Sequence, residues 1–247
     1  VSRGLGDVYK RQDVNIGYFG RLNYDYLKRY MLTATFREDG SSRFAKGNQW
    51  GFFPGLSVGW VMSDEPFMQN IGFISNLKWR GSYGQTGNNS IGYYDALGLY
   101  AITTSYDQSA ATVSSAMPNK ALEWETSTQL DLGFDLGLFN NRFSLEFDYY
   151  RRDTKEMLVN VDVPASVGLA SVETNVGSVR NSGLDFTVKW EDSFKDFRYG
   201  IRLTGTTIKN EVTNLGGKRI TSGDIGSGKS VHMTEEGMPI KYFYGYK

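Results

Sequence analysis

The chain has 247 residues, and 27 Lys+Arg balance 27 Asp+Glu, so a net charge of zero gives no reason to expect nucleic acid or an acidic surface as a partner. Cysteine is absent and His232 is the single histidine, which excludes disulfides, thiolate metal sites and His-based metal clusters and leaves little of the usual acid–base machinery. Sixteen Tyr, 15 Phe, 5 Trp and 29 Gly against only five Pro favour strands and turns, so the composition points to an all-β chain.

Residues 1–12 are basic and aperiodic and fit nothing that follows; they are expected to be a non-native leader, with the structural unit running over 13–247. From Asn15 onward a period of two dominates. The first strand is weak, with Leu22, Tyr24 and Tyr26 opposing Arg21, Asn23 and Asp25. Tyr30, Leu32, Ala34 and Phe36 then alternate with Met31, Thr33, Thr35 and Arg37. Leu56, Val58 and Trp60 follow, and after them Leu77, Trp79, Gly81 and Tyr83 against Lys78, Arg80 and Ser82. The clearest run places Leu122, Trp124, Thr126, Thr128, Leu130, Leu132, Phe134 and Leu136 on one face, with Glu123, Glu125, Gln129, Asp131 and Asp135 on the other. Phe143–Tyr149, Leu184–Trp190 and Tyr199–Leu203 repeat the rule, and a ninth strand is expected from about Ile240. Alternation of this length sets one face against an apolar medium and the other against water.

The connections alternate in length. The short set is Leu27–Arg29, Ser63–Ser75, Phe139–Asn141 and Glu191–Asp196; the long set is Asp39–Trp50, Gln85–Ala121, Met157–Thr174 and Asn210–Pro239. All short turns therefore fall at one end of the sheet and all long loops at the other, as in outer-membrane barrels. Ser63–Ser75 is long for a periplasmic turn and is expected to hold a short helical turn near Ser63, Glu65 and Pro66. A soluble β-sandwich also alternates, but its core wants bulk in mid-strand. Here Trp60, Trp79 and Trp190 sit on the apolar face at the short-turn end and Trp124 at the long-loop end, which suits two interfacial belts. The fold expected is an antiparallel transmembrane β-barrel fragment of about eight to nine strands, open and incomplete.

Several motifs invite chemistry. Gly223–Ser230 matches the phosphate-binding pattern G-x-x-x-x-G-K-S, yet no buried strand precedes it and Gly237 and Pro239 come too soon for a helix, so a flexible Gly/Ser-rich loop is the better account and no nucleotide site is expected. The carboxylate pairs Glu123/Glu125 and Glu235/Glu236 could share acid and base roles, but charged residues are the ordinary lining of a wet lumen. No catalytic residue, metal site or cofactor is expected. The candidates for substrate contact are Arg37, Arg80, Glu123 and Glu125 on the lumen face and Tyr93, Tyr94, Tyr100 and Tyr106 in the longest loop, whose rings could stack on sugars or peptide side chains or simply anchor the loop.

Phe36–Phe44 (FREDGSSRF), Trp50-Gly51, Phe53-Pro54, Ser63–Phe67, Ser75–Asn88, Leu122–Thr126, Asp148-Tyr149-Tyr150, Asn175–Gly177, Asn181–Gly183 and Phe243–Tyr246 together resemble the barrel of SusC/RagA-type TonB-dependent transporters. The resemblance runs from about Asn15 to Lys247. It implies a closed barrel of ~22 strands around a plug, bedded in outer-membrane lipids. It also implies import of glycan or peptide nutrients driven by TonB, with a SusD-like surface lipoprotein as lid, and localisation to the outer membrane of a Bacteroidetes-like Gram-negative cell. The plug and TonB-contacting segment are not found in this sequence. A passive porin without a plug has the same wall physics, and a barrel enzyme would need a catalytic cluster that the lone His232 does not supply.

Overall fold

In the computed structural model, the described residues are 12–106, 109–164, 166, 168, 171–224 and 230–245. Eight of the described strands build a single antiparallel sheet in the order β1 (Asn15–Tyr26), β2 (Tyr30–Ser41), β3 (Trp50–Val61), β4 (Ile74–Asn88), β7 (Glu125–Leu138), β8 (Phe143–Asp162), β9 (Ser171–Phe194) and β10 (Phe197–Asn214). The connection from β4 to β7 carries a separate hairpin, β5 (Leu99–Tyr106) with β6 (Ser109–Ala116). A third small sheet, β11 (Ile220–Asp224), β12 (Ser230–Thr234) and β13 (Tyr242–Phe243), follows β10. Neighbouring strands of the large sheet pair in chain order and β1 and β10 are its edges, so this is the wall of an open, incomplete barrel.

Register extends the period of two of single strands across the sheet. One row runs Leu56, Tyr83, Leu130 from β3 to β7, another Trp60, Trp79, Phe134, Phe147, Phe186 from β3 to β9. The opposite face carries Ser57, Ser82, Asp131 and Tyr150 in one row and Arg80, Gly133, Asp148 and Asp185 in the next. The apolar rows are not a core, since Leu22, Phe36, Val58, Leu132 and Ile201 are all about half or more exposed. An apolar sheet face left this open requires a non-aqueous medium beside it.

Aromatic residues gather at the two ends of that face. At the short-turn end Tyr30 stacks on Trp60 with ring centroids 6.5 Å apart, and Trp79 meets Phe134 at 5.3 Å. At the other end Tyr18 stacks on Trp50 at 6.1 Å. The short-turn end is locked by Glu65, which follows a 3-10 turn at Met62–Asp64 and is 7% exposed. Its carboxylate accepts hydrogen bonds from the Tyr30 hydroxyl and from Trp60 Nε1 at 3.2 Å, with Arg29 at 3.6 Å, and these donors, the tyrosine first, hold its pKa below the usual carboxylate value. The long connection therefore holds the expected helical turn and folds back over the aromatic belt.

Four sequence expectations are corrected. Leu122 and Trp124 do not face the membrane. Strand β7 begins at Glu125, and the preceding residues turn inward, where Leu122 is 1% exposed and Trp124 packs on Phe44 (5.4 Å) and Phe53 (5.6 Å) while donating from Nε1 to Gln49 O. The long-loop belt is made by Tyr18 and Trp50 instead. Secondly, the segment expected as a ninth wall strand pairs with β12 in the small sheet. Thirdly, β8 and β9 run 20 and 24 residues and take up most of the segment expected as the loop Met157–Thr174. Lastly, the segment expected as the loop Asn210–Pro239 holds the end of β10 and strands β11 and β12, with His232 in β12 and its ring 5.0 Å from that of Phe243.

Register assigns Leu132 to the apolar face and Asp131 to the polar one. In the intact protein Leu132→Lys should cost roughly 2–4 kcal/mol, whereas Asp131→Lys, on the wet face, should cost clearly less. Unfolding titrations of the protein refolded in lipid check this; equal costs would contradict the assignment of faces.

Candidate functional site

Two regions gather polar function: the polar face of the large sheet, which is the lumen wall, and the loop cluster at its long-loop end. The lumen wall is organised around Arg80. Its guanidinium donates from one nitrogen to Asp135 at 2.8 Å and to Asp148 at 3.1 Å, bridging strands β4, β7 and β8. Gly133 makes room for this, because a Cβ there would strike the Asp148 carboxylate. One row away Asp131 accepts from Ser82 Oγ (3.0 Å) and Gln129 Nε2 (2.8 Å), and Gln129 in turn accepts from Arg152 Nε at 2.8 Å. Small residues, Gly59, Ser57 and Ser82, leave a shallow hollow of about 320 Å³ beside these charges. Two buried polar atoms on this wall, Arg80 Nε and Asp185 Oδ1, have no partner among the described residues. Asp185 also stands in register with Asp148, so like charges face each other across β8 and β9.

At the loop end two apolar clusters face inward over the wall. One is Phe44, Ile91 and Leu122 with Trp124 and Leu158; the other is Val179, Val212 and Leu215 with Met157 and Ile220. They anchor the long loops to strand ends. Polar ties add direction: Asn119 Nδ2 donates to Glu173 O at 2.9 Å, and Asn175 exchanges hydrogen bonds of 3.0 Å with the backbone of Glu123. Glu236 caps the loop after β10 by accepting from the amides of Leu215 (2.7 Å) and Gly217 (3.1 Å), which lowers its pKa, and Glu235 accepts from Tyr242 and pairs with Arg219 at 2.9 Å. Both members of that carboxylate pair are thus spent on holding the loop.

The sequence candidates divide accordingly. Arg80 sits at the centre of the lumen wall, and Arg37, in register with Phe19 and Phe53, lies on the same face and pairs with Asp39. Glu125 shares that face opposite Asn88, but Glu123 precedes the strand and is exposed in the loop cluster, so the two are not brought together as a pair. Tyr93 and Tyr94 are partly exposed, with the Arg43 guanidinium 4.7 Å above the Tyr93 ring. Of Tyr100 and Tyr106 only the backbone, in β5, belongs to the described part. Residues 225–229 of the Gly223–Ser230 motif lie outside the described residues; its flanks pair as a hairpin, Asp224 with Ser230, and Ser230 opens a strand and not a helix. Sequence reasoning passed over Asp148, Asp135 and Arg152, whose grouping depends on register between strands, and Asp95 and Glu173, which come from segments 78 residues apart.

With this geometry in view, comparison with known proteins is decisive. The family model for the TonB dependent receptor-like β-barrel matches residues 3–230. The chain belongs to that family. It is 36% identical over 248 residues to TonB-dependent receptor P3 of Formosa agariphila, and 34% identical over 257 residues to TonB-dependent receptor SusC of Bacteroides thetaiotaomicron. Each alignment covers 97% of this chain but only 25% and 26% of the relative, so the chain spans about a quarter of these receptors. Among solved structures, the RagAB peptide transporter superposes with a TM-score of 0.81 at 29% identity over 94% of this chain and 25% of that one. The FrpB iron transporter of Neisseria meningitidis, at 14% identity and a TM-score of 0.53, shares the fold alone. These likenesses place the chain with the SusC/RagA-type receptors, as the motifs implied.

Glu173 yields a test of the loop cluster. It lies on the long-loop side of β9, past the membrane-spanning rows, and its pKa is raised to about 7 by burial, by a hydrogen bond to the Asp95 side chain and by the charge of that neighbour. Two carboxyl groups hydrogen-bond only when they hold a proton between them. Because the folded pKa exceeds the unfolded value of 4.5, this tie is fully present below that value and is lost as pH rises through about 7. Amide exchange of residues 91–98, corrected for intrinsic rates, should therefore speed up between about pH 5 and about pH 8. Asp95→Asn should weaken the pH dependence, since burial of Glu173 remains, and exchange that ignores pH in the unmodified protein would refute it.

Proposed function

We propose that this chain forms part of the barrel wall of an outer-membrane transporter that takes up glycan or peptide nutrients by TonB-coupled import. The observation that carries the reading is the joint presence of an exposed apolar face, a continuous polar wall behind it and family membership along almost the whole chain. A wall of this kind supplies a wet, charged lumen in which Arg80, Asp135 and Asp148 are held in fixed positions, and it contributes passage and not chemistry. Coupling to TonB is assigned to parts of the protein other than this chain. The loop cluster over the lumen is assigned the extracellular role: meeting the incoming substrate and a SusD-like lipoprotein lid, with Tyr93 and Tyr94 offering flat apolar faces with polar tips.

The β5–β6 hairpin is a separate two-stranded sheet, so its removal leaves every hydrogen bond of the large sheet intact. Replacing residues 99–116 of the intact transporter by a short Gly/Ser linker should weaken uptake or lid association while the barrel still folds. Uptake of labelled oligosaccharides and peptides and co-purification of the lipoprotein provide the measurement. Unchanged uptake and unchanged lid binding would remove the loop from the function, and uptake that persists without TonB would replace active import by passive diffusion.

A further inference from the structure

The apolar outer face of β8, β9 and β10 ends along one line. The row Tyr149, Leu184, Thr207 is succeeded by Arg151, Ser182, Lys209 and then by Asp153, Arg180, Glu211, with Lys155 beyond them opposite Thr126. Successive rows on one face are about 6.6 Å apart along a strand, so the change from hydrocarbon-like to ionic surface takes place within one headgroup thickness. All of these residues share the outward parity of Leu145 and Phe147, opposite to Asp148 and Asp185 on the lumen wall. They lie toward the long-loop end, away from the Trp60–Trp79–Trp190 belt.

The charges are arranged and not scattered. Asp153 receives Arg151 at 2.8 Å and Arg180 at 2.6 Å, and Glu211 receives Lys209 at 2.8 Å. Asp153 thus orients both guanidiniums and Glu211 the Lys209 ammonium, while Arg151, Lys155, Arg180 and Lys209 against these two anions leave a net charge of +2. The Lys209 side chain is 75% exposed, and Lys155 is exposed and pairs with no acid among the described residues. A lumen substrate cannot reach this surface, because it lies on the far side of the sheet. Its neighbour must lie in the plane of the membrane, be anionic and sit at headgroup depth. Guanidinium and ammonium groups side by side, with the former pre-oriented, suit phosphate oxygens.

We propose that the outer faces of β8, β9 and β10 form a docking site for the phosphate groups of a phosphorylated glycolipid in the outer leaflet, with Arg151, Lys155, Arg180 and Lys209 as the binding cations. The inference rests on the outer-membrane reading above. Two features on the page select this occupant: the patch continues the apolar membrane face without a gap, and its excess charge is opposite to that of a phosphorylated headgroup. The apolar rows below it would take the acyl chains of the same molecule.

The test uses the intact protein purified in detergent, with phosphorylated and enzymatically dephosphorylated lipid A as probes and bound lipid counted by native mass spectrometry. The phosphorylated form should bind about tenfold or more tighter. Each basic residue near an anionic headgroup contributes a factor of about five, so Lys155→Gln combined with Lys209→Gln should lose on the order of thirtyfold. Lys189→Gln, on the opposite face and near the short turns, should leave lipid binding unchanged. Should the double variant fail to fold, Lys209→Gln alone should still lose about fivefold. Equal affinity for the two lipids or unchanged binding by the lysine variants would each overturn the proposal. Cell fractionation separates the two readings: a protein found outside the outer membrane undoes the proposed function, whereas one found there without phosphate preference undoes only this site.

Discussion

Every other feature of this molecule depends on the backbone ladder between strands. In hydrocarbon no water is available to an amide, so each N–H and C=O must find its partner on the neighbouring strand. Once that ladder is fixed, side chains are sorted with a period of two, and the sorting repeats from strand to strand because the register is in phase. The apolar rows from Trp60 to Phe186 and the polar rows from Ser57 to Tyr150 are two consequences of one constraint. The outward face needs no close packing against protein, which explains why large side chains there remain half exposed while the clusters of buried apolar residues, around Leu122 and Val212, lie at the loop end.

What the sequence made legible is what a single strand can encode. Alternation located all eight wall strands, and the spacing between them located the turns, because both depend on residues adjacent in the chain. What lay beyond it depends on partners. The run from Leu122 to Leu136 alternates without a break, yet the wall strand takes it up only at Glu125. Phe44, Phe53 and Ile91 offer Trp124 and Leu122 an apolar pocket on the inner side, and Asn175 diverts the backbone at Glu123. Periodicity cannot register such competition. Likewise the last strand has a strand-like sequence, but only pairing with β12 decides which sheet it joins. At the bulge between Thr154 and Leu158, with Glu156 at a φ of 54°, β8 continues as a strand where the sequence suggested its end.

The candidate site shows the same division. Arg80 was legible as a charge on the polar face, whereas its bridging of Asp135 and Asp148 follows from the offset of three strands. Asp95 and Glu173 meet because one long loop folds onto a neighbouring hairpin, and Asn119 and Asn175 fix where they meet. Residues that act within one strand can be read from a pattern; residues that act between segments far apart in sequence cannot.

The length of β8 and β9 has a mechanical side. Their shared ladder continues from the short turn at Phe139–Arg142, along the wall, to Asp162 and Ser171 at the far end. A force applied at that far end and directed along the strands loads in parallel the rungs that tie β8 to β7 and β9 to β10, so they must give way together. A force directed across the strands opens rungs one by one, as a zipper does. The projecting hairpin is therefore stiff against pull and push along its axis and compliant to sideways bending, and whatever contacts its tip acts on the Arg80–Asp148 region of the wall through a beam and not a tether.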